Sequence, residues 1–330
     1  MEVALTEHVP VTDASSVGEV RRTAMTVGHK LGLDQTRAGE LALLATEVSR
    51  NVLVHGGGGQ VILAGQKNGS DAVARILAMD NGPGIGDVPR AMGDGYSTAG
   101  TMGGGLGAMK RIASEFEIFT GSHGTIVMLE VGKEGRNHGL QIAGMAIPYP
   151  GERVCGDGWM FHSEPDRTVA MVVDGLGHGW GAADAAQEAV ATFQKNVQQP
   201  PREVLAAIHD ALRKTRGAVA SVVEIRPKSG AVNYAGVGNI SAVLMNDQGS
   251  RSLVSHNGTL GVATPRIQEF QFEWAPRTIL ILHSDGLQTR WDLSAYSGLL
   301  ARHAAVIGGA LLRDFRRHRD DASVMVIKAA

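Results

Sequence analysis

Apolar side chains at Val17, Val20, Ala24, Val27 and Leu31 recur at helical spacing over 14–32, with Asp13 placed to cap the helix. A second stripe, Leu41, Leu44 and Val48, predicts a helix from about 34 to 54, closed by the turn Gly56-Gly57-Gly58-Gly59. Short apolar runs predict strands at 60–65 and 72–79, then a glycine-rich loop to about 106, a helix over 106–115, and strands at 116–120 and 125–131. This order predicts an α+β sandwich, one mixed sheet with helices on one face. Residues 132–139, polar and glycine-rich, read as a linker. Beyond them strands dominate, at 140–147, 168–173, 219–225, 231–237, 241–245, 278–283 and 323–328, with helices at 182–196, 202–214 and 294–314. That half predicts two packed sheets flanked by helices. No internal repeat links the halves, so two different folds are expected.

Composition sharpens this picture. The 330 residues suit two domains, and 43% hydrophobic with 19% charged side chains allow a sizeable core. Glycine is in excess, 44 residues without a three-residue period, and 22 of them lie in the windows 56–107 and 156–181. Such local enrichment points to backbone passing close to ligands. A net charge of −2 offers no global field for nucleic acid, and the basic run Arg313, Arg316, Arg317, His318, Arg319 reads first as a solvated helix face. The single Cys155 excludes an intrachain disulfide and a thiolate metal cluster. No secretory signal pattern opens the chain, and no apolar run approaches the ~18 residues a bilayer span needs, so a cytoplasmic protein without membrane contact is expected.

Candidate chemistry in the first half begins with Glu47 and Asn51, four residues apart on one helix face. Alone, the pair is equally an ordinary polar helix surface. Asp80-Asn81-Gly82-Pro83-Gly84 follows an apolar strand and sets a carboxylate beside backbone that a flat ligand can approach. Gly103-Gly104-Gly105-Leu106-Gly107 opens a helix, where amides and the helix dipole favour phosphate. No G-x-x-x-x-G-K-[ST] loop occurs, so a P-loop fold is excluded.

In combination, Glu-x-x-x-Asn, Asp-x-Gly-x-Gly, the glycine loop and Gly124-Thr125 resemble the N, G1 and G2 boxes of the GHKL ATPases. The stretches Thr46–Asn51 and Gly105–Ile112 resemble the RsbT-like serine kinases and related anti-sigma kinases over about residues 5–132. The resemblance implies a Bergerat ATP-binding fold in which Asn51 holds Mg²⁺ and Asp80 accepts from adenine. It also implies that Gly82 and Gly84 pass the base, Gly103, Gly104, Gly105, Leu106 and Gly107 wrap the phosphates, and Thr125 backs up Asp80. Glu47 would be the base that prepares a serine hydroxyl.

In the second half, Asp157, Asp174, Asp285 and the pair Asp320-Asp321 fall at ends of apolar runs, several beside glycine. Any one is a common turn former; together they suggest oxygen ligands for Mg²⁺ or Mn²⁺. The ordered strings Val172-Val173-Asp174-Gly175-Leu176-Gly177-His178-Gly179, Gly236-Val237-Gly238-Asn239, Ser284-Asp285-Gly286-Leu287 and Asp320-Asp321-Ala322-Ser323 resemble PP2C-type phosphatases of the SpoIIE/RsbX branch. That resemblance covers about 140–330 and implies a β-sandwich flanked by helices. It implies metal binding by Asp157, Asp174, Asp285, Asp320 and the Gly175 carbonyl, with water in place of a side-chain nucleophile. Asp321 would support the ligands. His178 either protonates the leaving oxygen or shapes the glycine loop, Arg153 is a phosphate contact or a plain surface arginine, and Cys155 is expected as a structural thiol. One departure is Gly238-Asn239-Ile240 where the family's usual turn is Gly-His-Asn.

The expected organisation is therefore a kinase-like domain at 1–132, a linker at 133–139 and a phosphatase domain at 140–330. The two resemblances imply opposed Ser/Thr chemistry on STAS-domain partners of RsbS/RsbR or anti-sigma-antagonist type, in stress or sigma-factor partner switching. An ATP-sensing, partner-binding regulator of anti-sigma type, whose nucleotide state gates the phosphatase without kinase activity, is the alternative, and a homodimer is left open.

Overall fold

The computed structural model describes residues 3–68, 71–93, 105–132, 139–263 and 266–329. The chain forms two compact units: Met1–Gly135 with Leu293–Arg313, and Arg136–Asp292 with Asp314–Ala330. The second unit is thus not the continuous stretch 140–330 that the sequence suggested, because Leu293–Arg313 packs with the first.

The first unit comprises β1 (Val3–Val11), α1 (Ala14–Leu31), α2 (Gln35–Gly56), β2 (Gly59–Asn68), β3 (Asp71–Asp80), α3 (Val88–Ala91), α4 (Leu106–Ile112), β4 (Glu115–Gly121) and β5 (Gly124–Gly132). Asp13 caps α1 through its carboxylate, accepting from Ser15 N and Ser16 N, and Asp34 caps α2. The sheet order is β1-β2-β3-β5-β4, and every pairing is antiparallel. The expected mixed sheet is corrected accordingly.

One face of this sheet, with Val61, Leu63, Ala74, Ile76, Ala78, Val127 and Leu129, forms a core with the buried stripes of α1 and α2. The alternate positions Ile62, Leu77, Met79, Ile126 and Met128 are buried as well. A strand apolar on both faces needs two covers. The second is α7 (Ala304–Phe315), whose run Ala304–Leu312 is buried throughout. At Gly309 a Cβ would stand 2.3 Å from Leu77 Cδ2 and 3.2 Å from Met79 Sδ, so helix backbone lies directly on β3. Around it His303 N donates to Glu117 Oε2 at 2.6 Å, and the Tyr296 ring stacks on His123 at 4.6 Å. The same face holds the buried pair Arg75–Glu130, bonded Nε to Oε1 at 2.6 Å.

The second unit is a sandwich of two antiparallel sheets, β13-β10-β9-β8-β7 and β12-β11-β14-β15-β6. Its strands are β6 (Leu140–Ile147), β7 (Asp157–Glu164), β8 (Arg167–Gly175), β9 (Ala218–Arg226), β10 (Ala231–Val237), β11 (Ser241–Asn246), β12 (Gly249–Ser252), β13 (Glu269–Glu273), β14 (Ile279–His283) and β15 (Ala322–Ala329). Helices α5 (Trp180–Asn196) and α6 (Pro201–Ala211) pack on the sheet of β7–β10. The predicted helix at 294–314 is only partly helical: a 3₁₀ turn spans Leu299–Ala301 before α7 begins. No helix among the described residues is long and apolar enough to cross a membrane.

Candidate functional site

In the first unit, a cavity of about 340 Å³ opens between α2, the end of β3 and the start of α4. Glu47 and Asn51, one helical turn apart on α2, both line it, together with Asp80, Gly84, Gly105, Leu106 and Thr125. Asp80 ends β3, and its Oδ1 accepts from Gly82 N at 2.9 Å and from Thr125 N at 3.2 Å. Thr125 therefore braces Asp80 through its amide, while its hydroxyl meets Thr120 Oγ1 at 3.1 Å. Gly84 sits at φ +78°, and a Cβ there would come 2.6 Å from Gly121 O, so only glycine fits this bend. Gly82 shapes Asp80 rather than lining the cavity, and Gly107 lies inside α4. Gly103 and Gly104 fall outside the described residues.

Sequence reasoning missed four further lining residues, Arg50, His55, Asp87 and Arg90. His55 could have been read from its position, one turn beyond Asn51 on the same face of α2. Arg50 Nη1 lies 3.3 Å from Glu47 Oε1, an ion pair on the proposed base. From α7, Arg313 Nη1 donates to the backbone carbonyl of Asp80 at 3.3 Å.

In the second unit the acidic residues gather at one end of the sandwich. Asp157 begins β7 and Asp174 is the next-to-last residue of β8, and the two are direct cross-strand partners. Like charges placed opposite each other destabilise a sheet unless something neutralises them. The other sheet supplies Asp285 just after β14 and Asp320-Asp321 just before β15, neighbouring strands joined there by Ser284 N to Ser323 O at 3.1 Å. Glycines allow the close approach: a Cβ at Gly175 would stand 2.2 Å from Ala182 O.

The electrostatics follow. Burial, opposed by the nearby Ser284 and Ser323 hydroxyls and reinforced by Asp321 and Asp320, pushes the Asp157 carboxyl up to about 7. Burial and the charges of Asp157, Asp285, Asp320 and Asp321 push Asp174 up to about 9. Asp320 is raised chiefly by burial, with nearby His178 pulling the other way. Burial and the neighbouring Asp157 and Asp321 charges raise the Cys155 thiol well above its usual value.

Asp157 Oδ2 and Asp321 Oδ2 are buried without a hydrogen-bond partner. Among the described residues, no three His, Cys, Asp or Glu side chains converge tightly enough to hold an ion as they stand. Orphaned oxygens, opposed carboxylates and an all-oxygen donor set nevertheless fit a hard divalent cation after small side-chain adjustments. Asn239, where the sequence departs from the usual turn, donates from Nδ2 to Asp285 Oδ2 at 2.8 Å. His178 lies in the loop from β8 to α5, and Arg153 is exposed.

Comparison with known proteins agrees with both halves. Residues 164–330 match the family described as Stage II sporulation protein E, and residues 10–131 match the histidine kinase-like ATPase domain. The serine/threonine-protein kinase RsbT of Bacillus subtilis (strain 168) is 32% identical over 98 residues, 30% of this chain and 74% of RsbT. The phosphoserine phosphatase RsbX of the same organism is 22% identical over 152 residues, 46% of this chain and 76% of RsbX. A solved chain from the bacterial stressosome, described as a modular system adapted to control secondary messenger signaling, shares 27% identity with a TM-score of 0.53, covering 57% of this chain and 98% of its own. RsbX in complex with magnesium shares the fold at 19% identity and a TM-score of 0.53, over 66% of this chain and 100% of that one.

Proposed function

Because the chain belongs to the Stage II sporulation protein E family and joins its PP2C-type serine/threonine phosphatase domain to an RsbT-like kinase domain, we propose that it is a bifunctional switch enzyme. The first unit phosphorylates serine or threonine on STAS-domain partners, of RsbS/RsbR or anti-sigma-antagonist type, and the second removes the phosphate. The observation that carries this reading is a nucleotide-sized cavity and an opposed-carboxylate cluster built into one chain.

In the cavity, Asp80 has committed Oδ1 to two backbone amides, and its other oxygen remains for the amino group of adenine. Asn51 is the ligand for the Mg²⁺ that accompanies ATP, the α4 start and its preceding glycines receive phosphate, and Glu47 orients the acceptor hydroxyl. In the sandwich, Asp157, Asp174, Asp285, Asp320 and the Gly175 carbonyl hold Mg²⁺ or Mn²⁺, with Asp321 supporting the set. The bound cations would screen the phosphate charge and make a water acidic enough to attack phosphorus. Asn239 fixes the Asp285 carboxylate, and His178 protonates the leaving oxygen.

The test is to mix the protein with ATP, Mg²⁺ or Mn²⁺ and candidate STAS proteins and follow their phosphorylation by mass. Neither gain nor loss of phosphate across several partners would defeat the proposal. The Arg50–Glu47 ion pair favours a second reading, in which the carboxylate is held by Arg50 and ATP acts as a conformational signal that gates the phosphatase. Glu47→Ala separates the two: a kinase loses phosphoryl transfer and keeps nucleotide binding, whereas a sensor is unaffected in both.

A further inference from the structure

The loop between β6 and β7 carries two residues that close on His178. The imidazole Nδ1 donates to Glu152 Oε1 at 2.8 Å, and the Tyr149 ring stacks on the imidazole with centroids 4.5 Å apart and planes 13° apart. The loop is itself pinned. Glu152 N donates to Tyr149 O at 3.0 Å, and Tyr149 N donates to Asp321 Oδ1 at 2.8 Å, fastening the loop to the acidic cluster. Gly179 leaves room for the carboxylate: a Cβ there would stand 3.2 Å from Glu152 Oε1, in a φ of +73° that side chains avoid. The side chain of His178 is 51% exposed, so without these contacts its rotamers would be free.

We infer that Glu152, with Tyr149 as a stacking wall, is the positioning residue for His178, holding the ring so that Nε2 is the nitrogen that serves the leaving group. A ring whose Nδ1–H is committed to a carboxylate has one nitrogen left, Nε2, to face the leaving group. The step then balances. Water oxygen forms the new bond to phosphorus, and the bond from phosphorus to seryl Oγ breaks with its electron pair going to Oγ. Oγ takes the Nε2 proton, and the proton lost by water passes to solvent, from which the ring is recharged. This inference deepens the phosphatase reading and rests on it.

Leaving-group dependence is the readout that a merely structural residue would not move. p-Nitrophenolate leaves without help, whereas a seryl alkoxide needs a proton. The whole 330-residue chain with Mn²⁺ is assayed on p-nitrophenyl phosphate and on a phosphoserine peptide, as wild type, Glu152→Ala, the isosteric Glu152→Gln, His178→Ala and the double variant Glu152→Ala/His178→Ala. Removing the orienting carboxylate should lower the ratio of peptide kcat to aryl phosphate kcat by about tenfold, a fraction of what a general acid contributes. Glu152→Gln, which keeps an acceptor but no charge, should fall between Glu152→Ala and wild type. The double variant should match His178→Ala. Equal falls on both substrates, or a further fall in the ratio when Glu152→Ala is added to His178→Ala, would overturn the assignment. A folded wild type that hydrolyses neither substrate with metal would instead overturn the phosphatase reading itself.

Discussion

Stripping divalent metal from the protein should make its stability fall as pH rises, the reverse of ordinary acid denaturation. Asp157 and Asp174 have carboxyl groups raised above the unfolded value of 3.8, to about 7 and about 9, by burial and mutual repulsion. The folded state therefore binds protons that the unfolded state has released. Stability from this source is complete below about pH 4 and is lost as pH climbs through the folded values. For Asp157 alone, the interval from 3.8 to about 7 corresponds to about 4 kcal/mol, at about 1.4 kcal/mol per pH unit. Water entry and side-chain relaxation would halve this, leaving about 2 kcal/mol, or roughly 4–8 °C in Tm for a unit of this size. The assay is thermal unfolding in EDTA at pH 5 and pH 8, repeated with excess Mn²⁺. The metal-free protein should melt lower at pH 8, and added metal should raise Tm most at pH 8, because cations bind the deprotonated carboxylates. Asp174→Asn should flatten the pH dependence and weaken the metal effect. A metal-free Tm that is constant or rises from pH 5 to pH 8 would refute the placement of these carboxylates.

Three further outcomes follow from the geometry. Asp80→Ala removes the acceptor for Gly82 N and Thr125 N as well as the proposed adenine contact, and should weaken ATP binding by at least tenfold in a fluorescent-nucleotide titration. Glu130→Ala leaves Arg75 charged and buried between sheet and α7, and should cost about 3–5 kcal/mol in urea unfolding monitored in the first unit. Gly309→Leu drives a side chain into Leu77 and Met79 and should cost about 1–3 kcal/mol, although glycine is the poorer helix former.

Much of this was legible because the relevant signals are local. Asp80, Asp174 and Asp285 are each an acidic residue at the end of an apolar strand followed by glycine or by glycine two residues on, and the strands lie where the runs predicted. β1 was missed because it is an edge strand, broken by Glu7 and His8 and carrying Pro10, so its run is short and interrupted. β7 was missed because Trp159, Met160 and Phe161 break period-two alternation. Strand direction is invisible to periodicity, hence the sheet expected to be mixed. The nearly all-apolar run of α7 signalled a helix buried all round, yet nothing local says which sheet buries it. Glu152 is separated from His178 by 26 residues, and only the fold brings the two together.

The return of Leu293–Arg313 to the first unit changes what a fragment of this chain can be. A piece ending at the linker contains every residue of the proposed nucleotide site, yet it presents Leu77 and Met79 to solvent where Gly309 should lie. The complementary piece carries α7 without β3, on which Gly309 packs. Each fragment would bare an apolar surface of the kind that drives aggregation. During synthesis the first unit likewise stays open on one side until residue 313 has left the ribosome, so its core closes only shortly before that of the second unit.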